Sequence, residues 1–91
     1  LFTIHRNREY EIVIAIGKPE NWGKGIGYHA LKETMKEVFF GWRIQRLIAR
    51  IHVDNRRSIQ LFRHLGFSEK ETVNNHIRFS MTFEEYLESL K

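Results

Sequence analysis

The sequence predicts an α/β domain with a mixed sheet, because two apolar segments flank a helical pattern and turn residues separate the elements. Residues 10–16 and 47–53 are rich in β-branched side chains and indicate central strands. A helix that joins two such strands implies parallel pairing through a right-handed crossover. The predicted order is β-β-α-β-α-β-β-α, with antiparallel hairpins flanking the parallel core.

The first half of the chain contains two strands and a long helix. Residues 1–5 form a short β-like run, which ends at the polar turn of residues 6–8. The second strand is the apolar segment described above. Apolar residues then recur at helical spacing, and Gly41 can end this helix in a left-handed cap. These apolar residues are Leu31, Met35, Val38 and Phe39.

The second half contains a short helix, a hairpin and a terminal helix. Asp54 and Asn55 offer caps for a helix over residues 58–65, which Gly66 stops. Extended segments follow, the last of them at residues 76–81. The Thr82-x-x-Glu85 spacing is that of a capping box and predicts the terminal helix.

Composition limits the classes of function. The 91 residues, 42% of them apolar and 13% aromatic, are enough for one domain with a core. The net charge of +4 suits a phosphate-bearing partner but does not establish one. The absence of cysteine excludes disulfides and thiolate metal sites, and the five histidines show no metal-ligand spacing. Short apolar runs and the lack of a cleavage signature favour a cytoplasmic protein.

A glycine-rich stretch, Trp22-Gly23-Lys24-Gly25-Ile26-Gly27, connects the second strand to the long helix. Glycines let the backbone approach a ligand closely, and a helix N-terminus presents unpaired N–H groups and a positive dipole. Together these features predict an anion site suited to a pyrophosphate. An ordinary strand-to-helix loop is the alternative interpretation.

Two common phosphate-binding motifs do not fit this stretch. A P-loop requires fewer residues between Gly17 and the Gly-Lys pair, and requires Ser or Thr after that lysine. A Rossmann fingerprint requires its first glycine to close the strand, whereas a connection separates Ile16 from Gly23. Asp54, the candidate acidic residue, also lies too far along the chain.

The stretch instead resembles the acyl-CoA loop of the GNAT superfamily of N-acetyltransferases, whose pattern is Gln/Arg-x-x-Gly-x-Gly/Ala. A second block, residues 53–67, is similar to the family's Asn-x-x-Ser-x-x-Leu-Tyr-x-x-x-Gly-Phe segment, beginning at Asn55 and Ser58. The two motifs occur in the family's order, with one helix and one strand between them. The resemblance implies a single domain over residues 1–91 with the mixed central sheet of acyl-CoA N-acyltransferases. It also implies that the usual N-terminal strands and helices are lacking.

The resemblance implies acetyl-CoA as the co-substrate and no metal. Backbone N–H groups of the loop would hold the diphosphate. The pantetheine arm would pair with the second strand where adjacent strands splay apart, and Asn55 and Ser58 would contact this arm or cap the second helix. The implied cofactor-binding residues are Ile14, Ala15, Ile16, Trp22, Gly23, Lys24, Gly25, Ile26, Gly27, Tyr28, Asn55, Ser58 and Phe62.

The chain departs from the family pattern at two positions. Trp22 replaces the preferred glutamine or arginine, a minor change because backbone groups bind the phosphates. Phe62 stands where the family's tyrosine protonates the leaving thiolate, and phenylalanine cannot donate a proton. Either Tyr28 substitutes or no acid is needed, since a thiol with a pKa of about 8.5 leaves readily. A catalytically weak or inactive acyl-CoA-binding domain is the alternative.

Amine acetylation requires a base, because an alkylamine with a pKa of about 10.4 is mostly protonated at neutral pH. Strand alternation puts Glu11 on one face with Val13 and Ala15, and the resemblance places a general-base glutamate on this strand. A strand-end carboxylate paired with an arginine is the alternative. An amide N–H near Ile14 or Ala15 would stabilise the oxyanion.

The predicted partners are a small-molecule primary amine or a protein N-terminal amine, and a second copy or an additional N-terminal segment that covers exposed surface. Arg56 and Arg57 would either contact the 3′-phosphate of acetyl-CoA or form a solvated face. Trp42 would be a core residue or a dimer anchor. Nucleic-acid binding is disfavoured, because no recognition-helix pattern or aromatic platform accompanies the arginines.

Overall fold

The computed structural model of the chain describes residues 2–8, 10–18 and 27–91. The helices in these ranges are α1 (Tyr28–Lys36), which continues as a π-helical turn over Glu37–Gly41, α2 (Arg56–His64) and α3 (Phe83–Ser89). The strands are β1 (Phe2–Arg8), β2 (Glu11–Ile16), β3 (Arg46–His52), β4 (Ser68–Val73) and β5 (His76–Thr82). The predicted order of elements is confirmed.

The described strands form one mixed sheet in the spatial order β1-β2-β3-β5-β4. The β2–β3 pair is parallel, as expected for two strands joined by the helical crossover through α1. The other three pairs are antiparallel. The parallel core with antiparallel flanks is therefore confirmed.

The core lies on one face of the sheet, against the three helices. Alternate residues of β2, namely Ile12, Ile14 and Ile16, are at most 3% exposed, and their neighbours on β3 and β5 are buried as well. The helices contribute Leu31, Met35, Phe39, Ile59, Phe62 and Tyr86 to the same cluster. The opposite face of β2 carries Glu11, Val13 and Ala15, which are partly buried.

The predicted stop at Gly66 is confirmed. Gly66 has a φ of 95°, a left-handed conformation that glycine adopts without a Cβ penalty. Its N–H donates to the Arg63 carbonyl at 3.1 Å, and the Phe67 N–H donates to the Phe62 carbonyl at 3.1 Å. This is a Schellman motif, and the Phe62 and Phe67 rings provide its apolar contact with centroids 4.9 Å apart.

The expected left-handed cap at Gly41 is wrong. The end of α1 widens into the π-helical turn, and the left-handed residue is Arg43, with a φ of 57°. The wider turn lets two consecutive side chains, Val38 and Phe39, both be buried at 2% exposure. The ring of Phe39 stacks on Tyr86 of α3 with centroids 4.6 Å apart, so packing rather than the glycine determines how this helix ends.

Candidate active site

α2 begins at the edge of the sheet where the parallel strands β2 and β3 end, and α1 begins at Tyr28, whose ring centroid lies 5.6 Å from that of His64 at the end of α2. Gly27 precedes α1 in an extended conformation, has no side chain with which to cap the helix, and the first turn contains no acidic residue. The first three residues of α1 are exposed. The positive end of this helix therefore faces solvent and is suited to bind an anion.

The start of α2 is capped by Asn55, which is 9% exposed. Its Oδ1 accepts a hydrogen bond from the Ser58 N–H at 3.2 Å, and its Nδ2 donates to the Gly17 carbonyl at 3.0 Å. The side chain thus caps α2 and ties it to the residue that follows β2. These bonds favour the capping interpretation of Asn55. Cofactor contact by Asn55 or by Ser58, which is 6% exposed, stays a prediction.

The glycine-rich motif is only partly placed, because Trp22, Gly23, Lys24, Gly25 and Ile26 lie outside the described residues. Gly27 and Tyr28 mark where the motif meets α1. A Cβ added at Gly27 would meet no atom within 4 Å, so the backbone there is open to an approaching group. The diphosphate site in this loop stays a prediction.

The splay predicted along Ile14, Ala15 and Ile16 is not present. These residues pair with β3 as far as Ile16 opposite Ile51, and with β1 on their other side. A strand paired on both sides offers no free edge to a pantetheine arm, and its amides are already engaged within the sheet. Contact with the arm, and with an oxyanion, therefore requires β2 and β3 to separate when the ligand binds.

The proposed contact between Phe62 and the cofactor is not supported by this structure. Phe62 is 0% exposed and packs against Phe67 and Phe79, with ring centroids 4.9 and 6.2 Å away. Because the ring faces the core, it has no surface that a ligand can touch. Its aromatic character is explained by core packing.

Glu11 lies at the start of β2, beside a cleft of about 850 Å³. Its side chain is 12% exposed, and the Arg46 guanidinium on β3 lies 3.8 Å from its carboxylate. The other residues that line the cleft are Tyr10, Gln45, Thr82, Phe83, Glu84 and Leu87. Apolar walls with two carboxylates and one arginine suit an organic cation. The contact with Arg46 also fits the structural alternative for Glu11.

The Gly17 end of β2, to which Asn55 ties the start of α2, and the cleft beside Glu11 lie at opposite ends of the strand. Glu11 and Ile16 begin and end the strand, so a rise of about 3.3 Å per residue separates them by roughly 17 Å. A ligand that reaches from the Gly17 end of β2 to Glu11 must therefore be long and extended. This separation suits a thioester carried on a flexible arm.

Sequence patterns did not identify the walls of the cleft. Thr82, Phe83 and Leu87 come from the junction of β5 and α3, which the sequence marked only by its capping box. The box brings these residues to the cleft because it fixes the direction in which α3 leaves the sheet. Only the tertiary structure places this junction next to Glu11.

The structure also places two further sets of predicted residues, Trp42 and the pair Arg56 and Arg57. Trp42 is 47% exposed, so it is not a core residue, and its role as a dimer anchor stays a prediction. Arg56 and Arg57 are exposed at the start of α2, and their contact with a phosphate also stays a prediction.

Within the described residues, no three His, Asp or Glu side chains are grouped to hold a metal. No helix in the same ranges is long and apolar enough to cross a membrane.

Comparison with protein families gives a match over residues 1–68 to the acetyltransferase (GNAT) domain. Spermidine N(1)-acetyltransferase of Escherichia coli K12 is 34% identical over 65 residues, which make up 71% of this chain and 33% of that protein. The N-acetyltransferase 9-like protein of Nematostella vectensis is 37% identical over 59 residues, or 65% of this chain and 30% of the relative. The chain thus spans about a third of the length of these relatives.

Solved structures share the fold at low sequence identity. Campylobacter jejuni N-acetyltransferase PseH in complex with acetyl coenzyme A superposes with a TM-score of 0.70 at 13% identity, over 87% of this chain and 55% of that one. The N-terminal domain of ribosomal-protein-alanine acetyltransferase from Clostridium acetobutylicum gives a TM-score of 0.73 at 18% identity, over 94% and 75% of the two chains.

Proposed function

The chain belongs to the GNAT family of acetyltransferases, and on this basis we propose that the protein transfers the acetyl group of acetyl-CoA to a primary amine. The observation that carries the proposal is the open N-terminus of α1, which directly follows Gly27, the last residue of the glycine-rich motif. A helix start of this kind binds phosphate groups through its amides and its dipole.

The cofactor lies along β2 in this proposal. Amides from Gly23 to Tyr28 bind the diphosphate, and the pantetheine arm follows Ile14–Ile16 toward the start of the strand. Since β2 is paired with β3 along its whole length, binding includes local separation of these two strands. The acyl carbon then reaches the cleft beside Glu11, roughly one strand length from the diphosphate.

Glu11 is the proposed general base. Its carboxylate accepts a proton from the bound ammonium, directly or through a water molecule, and the neutral nitrogen attacks the thioester carbonyl carbon. The C–N bond forms, the tetrahedral intermediate collapses, and the C–S bond breaks to release the thiolate. No covalent enzyme intermediate is needed, because both substrates are bound together.

The leaving thiolate needs no protein acid in this scheme. Phe62 has no proton to donate and is buried, and a thiol with a pKa of about 8.5 departs without prior protonation. The ring centroids of Tyr28 and His64 lie 5.6 Å apart on the helical side of the sheet, so the scheme assigns no acid role to Tyr28. After the attack the nitrogen is positively charged, and it loses its second proton to solvent or to the thiolate to give the neutral amide.

The proposed acceptor is a small-molecule amine. The cleft carries the carboxylates of Glu11 and Glu84 between apolar side chains, which favours a cationic ligand with an alkyl chain. A relative that acts on spermidine supports the same class of acceptor. A protein N-terminal amine is the second acceptor class to be tested.

Acetyl transfer to a panel of polyamines, monoamines and N-terminal peptides tests this proposal in the intact protein. Glu11→Gln should lower kcat about 10²–10⁴-fold, because the amine loses its base. The rate of the variant should then rise with pH toward the pKa of the free amine, while the wild-type rate levels off earlier.

Glu84→Gln provides a matched control, since it removes a carboxylate from the same cleft without removing the base. It should raise KM for a polycation with little change in kcat. Acetyl-CoA binding without transfer to any amine would show a binding domain instead of an enzyme. No binding and no thermal stabilisation by acetyl-CoA would refute the proposal altogether.

A further inference from the structure

Arg46 is the only cationic side chain among the described residues that line the cleft beside Glu11, and the proposed reaction does not use it. It lies in register with Glu11 across the parallel strands β2 and β3. The N–H groups of Gln45 and Arg46 both donate to the Tyr10 carbonyl, at 2.7 and 3.2 Å. The backbone therefore holds Arg46 beside the proposed base.

The ion pair between Arg46 and Glu11 is loose. Arg46 Nη1 lies 3.8 Å from Glu11 Oε2, whereas the guanidinium groups of Arg63 and Arg78 lie 2.8 and 2.7 Å from their carboxylate partners. Charge-assisted hydrogen bonds of this kind are about 2.7–2.9 Å long. A guanidinium carries several N–H donors, and the Arg46 side chain is 51% exposed, so it has donors available for a ligand.

The two charged groups lie at different depths in the cleft. The Glu11 side chain is only 12% exposed, so its carboxylate is recessed behind the more open guanidinium of Arg46. A ligand that enters with its amine toward Glu11 places its next few atoms beside Arg46. A second positive charge there would be repelled by the guanidinium, whereas a negative charge would be attracted.

An α-amino acid carries both charges at a suitable spacing. Its nitrogen and its carboxylate carbon are joined through a single carbon, by bonds of about 1.46 and 1.52 Å, and therefore lie roughly 2.5 Å apart. The carboxylate oxygens extend somewhat further. The ammonium and the carboxylate can thus face Glu11 and Arg46, whose charged atoms are 3.8 Å apart, so that opposite charges are neighbours.

We propose that the acceptor is an α-amino acid, whose ammonium group binds to Glu11 and whose carboxylate binds to Arg46. This inference rests on the proposed function and names its acceptor class. After proton loss to Glu11, the α-nitrogen forms the C–N bond and the C–S bond breaks. The second amine proton goes to solvent or to the thiolate, and the products are an Nα-acetylamino acid and CoA.

The rest of the cleft favours an amino acid with a basic side chain. Phe83 and Leu87 provide apolar surface for an alkyl chain, and Glu84 provides a carboxylate for a terminal ammonium. Lysine combines these features with the α-amine and the carboxylate. It is therefore the probe with which we test the proposal.

Lysine and lysinamide test the role of Arg46, because the carboxylate of the first is a neutral amide in the second. The ratio of kcat/KM for lysine to that for lysinamide should fall about tenfold in Arg46→Gln, the effect of one charge-assisted hydrogen bond. Differences in amine basicity cancel, since both enzymes act on the same two amines. Arg46→Lys keeps the charge and should retain part of the preference. The product should be Nα-acetyllysine.

Arg50→Gln is the matched control. Arg50 lies four residues further along β3, is exposed, and is not among the described residues that line the cleft. The ratio should not change in this variant. Circular dichroism and thermal melting establish that each variant is folded.

Cadaverine, which is lysine without its carboxylate, tests the opposite effect. Arg46→Gln should raise kcat/KM for cadaverine, because the repulsion between Arg46 and a ligand that carries only positive charge is removed. Arg50→Gln should leave this value unchanged.

An unchanged lysine-to-lysinamide ratio in Arg46→Gln, with acetyl transfer to another amine intact, would overturn this inference and leave the proposed function standing. Equal use of lysine and a peptide N-terminus by the wild type would likewise overturn it. Failure of the wild type to acetylate any amine would overturn the proposed function. Calorimetric binding of lysine and lysinamide in the presence of CoA would then still show whether the cleft recognises the carboxylate through Arg46.

Discussion

The starts of α1 and α2 differ in how their first amides are used. Both helices follow the carboxyl ends of neighbouring parallel strands. Asn55 caps α2 through the Ser58 N–H and also binds the Gly17 carbonyl. Gly27 has no side chain, and the residues after it are exposed. One helix start is stabilised by the protein itself, and the other is open to a ligand.

The difference shows that one helix start can be capped by a side chain while the other stays open to a ligand. Because Asn55 holds Gly17, the residue that leaves β2 is fixed relative to the start of α2. This anchor positions the beginning of the connection that leads to α1. A connection that is anchored where it leaves β2 and that ends at an open helix start is suited to binding a phosphate group.

Replacing the cap should have the largest effect on stability. Asn55→Ala removes the acceptor for the Ser58 N–H and the donor to the Gly17 carbonyl, so we expect the free energy of unfolding to fall by about 2 kcal/mol. Urea denaturation followed by circular dichroism measures this change.

Asn55→Asp separates the two bonds, since aspartate still caps α2 but cannot donate to Gly17. It should recover about 1 kcal/mol of the loss. If Asn55→Ala leaves stability unchanged and weakens only acetyl-CoA binding, Asn55 is a ligand contact and the contrast between the two helix starts is incorrect.

Gly27→Ala tests the open helix start. Gly27 has a φ of −86°, which any residue can adopt, and an added Cβ would meet no atom within 4 Å. We therefore expect no steric clash, and a fall of about 0.5–1 kcal/mol in the free energy of unfolding because alanine is a poorer N-cap than glycine. Acetyl-CoA should bind about tenfold more weakly, because the new methyl group occupies the approach to the amides.

Gly41→Ala is the matched control for this variant. Its added Cβ would lie 3.3 Å from the flexible Glu37 carboxylate, at the end of the π-helical turn that continues α1. Acetyl-CoA affinity should not change. Equal effects of the two alanine substitutions would show that α1 responds as a whole, and that its first turn has no special role.

The start of α3 adds a third, pH-dependent case with a smaller expected effect. The Thr82 hydroxyl accepts from the Glu85 N–H at 3.1 Å, and the Glu85 carboxylate accepts from the Thr82 N–H at 2.8 Å. The latter bond lowers the pKa of Glu85 below its ordinary value of 4.5. The stabilisation is present above pH 4.5 and is lost as the pH falls through the lower folded pKa.

Thermal melting between pH 7 and pH 3 measures this effect. Thr82→Ala should lower stability by about 1 kcal/mol at neutral pH. Glu85→Gln should reduce the loss of stability on acidification, whereas Glu84→Gln, in the same turn but outside the box, should retain it. An unchanged acid response in Glu85→Gln would show that the box has no role in the pH dependence.

The sequence was sufficient for features that depend on neighbouring residues. Helical spacing and strand alternation predicted the order of the elements. Gly66 and Thr82 marked helix boundaries correctly, and of the two predicted caps Asp54 and Asn55 the structure uses Asn55. The sequence can predict these helix boundaries because caps and turns use hydrogen bonds between residues only a few positions apart. The two motifs, in order, were likewise sufficient to indicate the family.

Other features were decided only by contacts between distant residues. The π-helical turn forms where Phe39 packs on α3, Phe62 is oriented by Phe67 and Phe79, and the cleft beside Glu11 is closed by residues from β5 and α3. Local sequence does not specify these contacts, because a side chain's partners depend on how the helices pack against the sheet. Hydrogen bonding within short segments determined the elements, and burial of apolar surface between them determined which side chains face the core or a ligand.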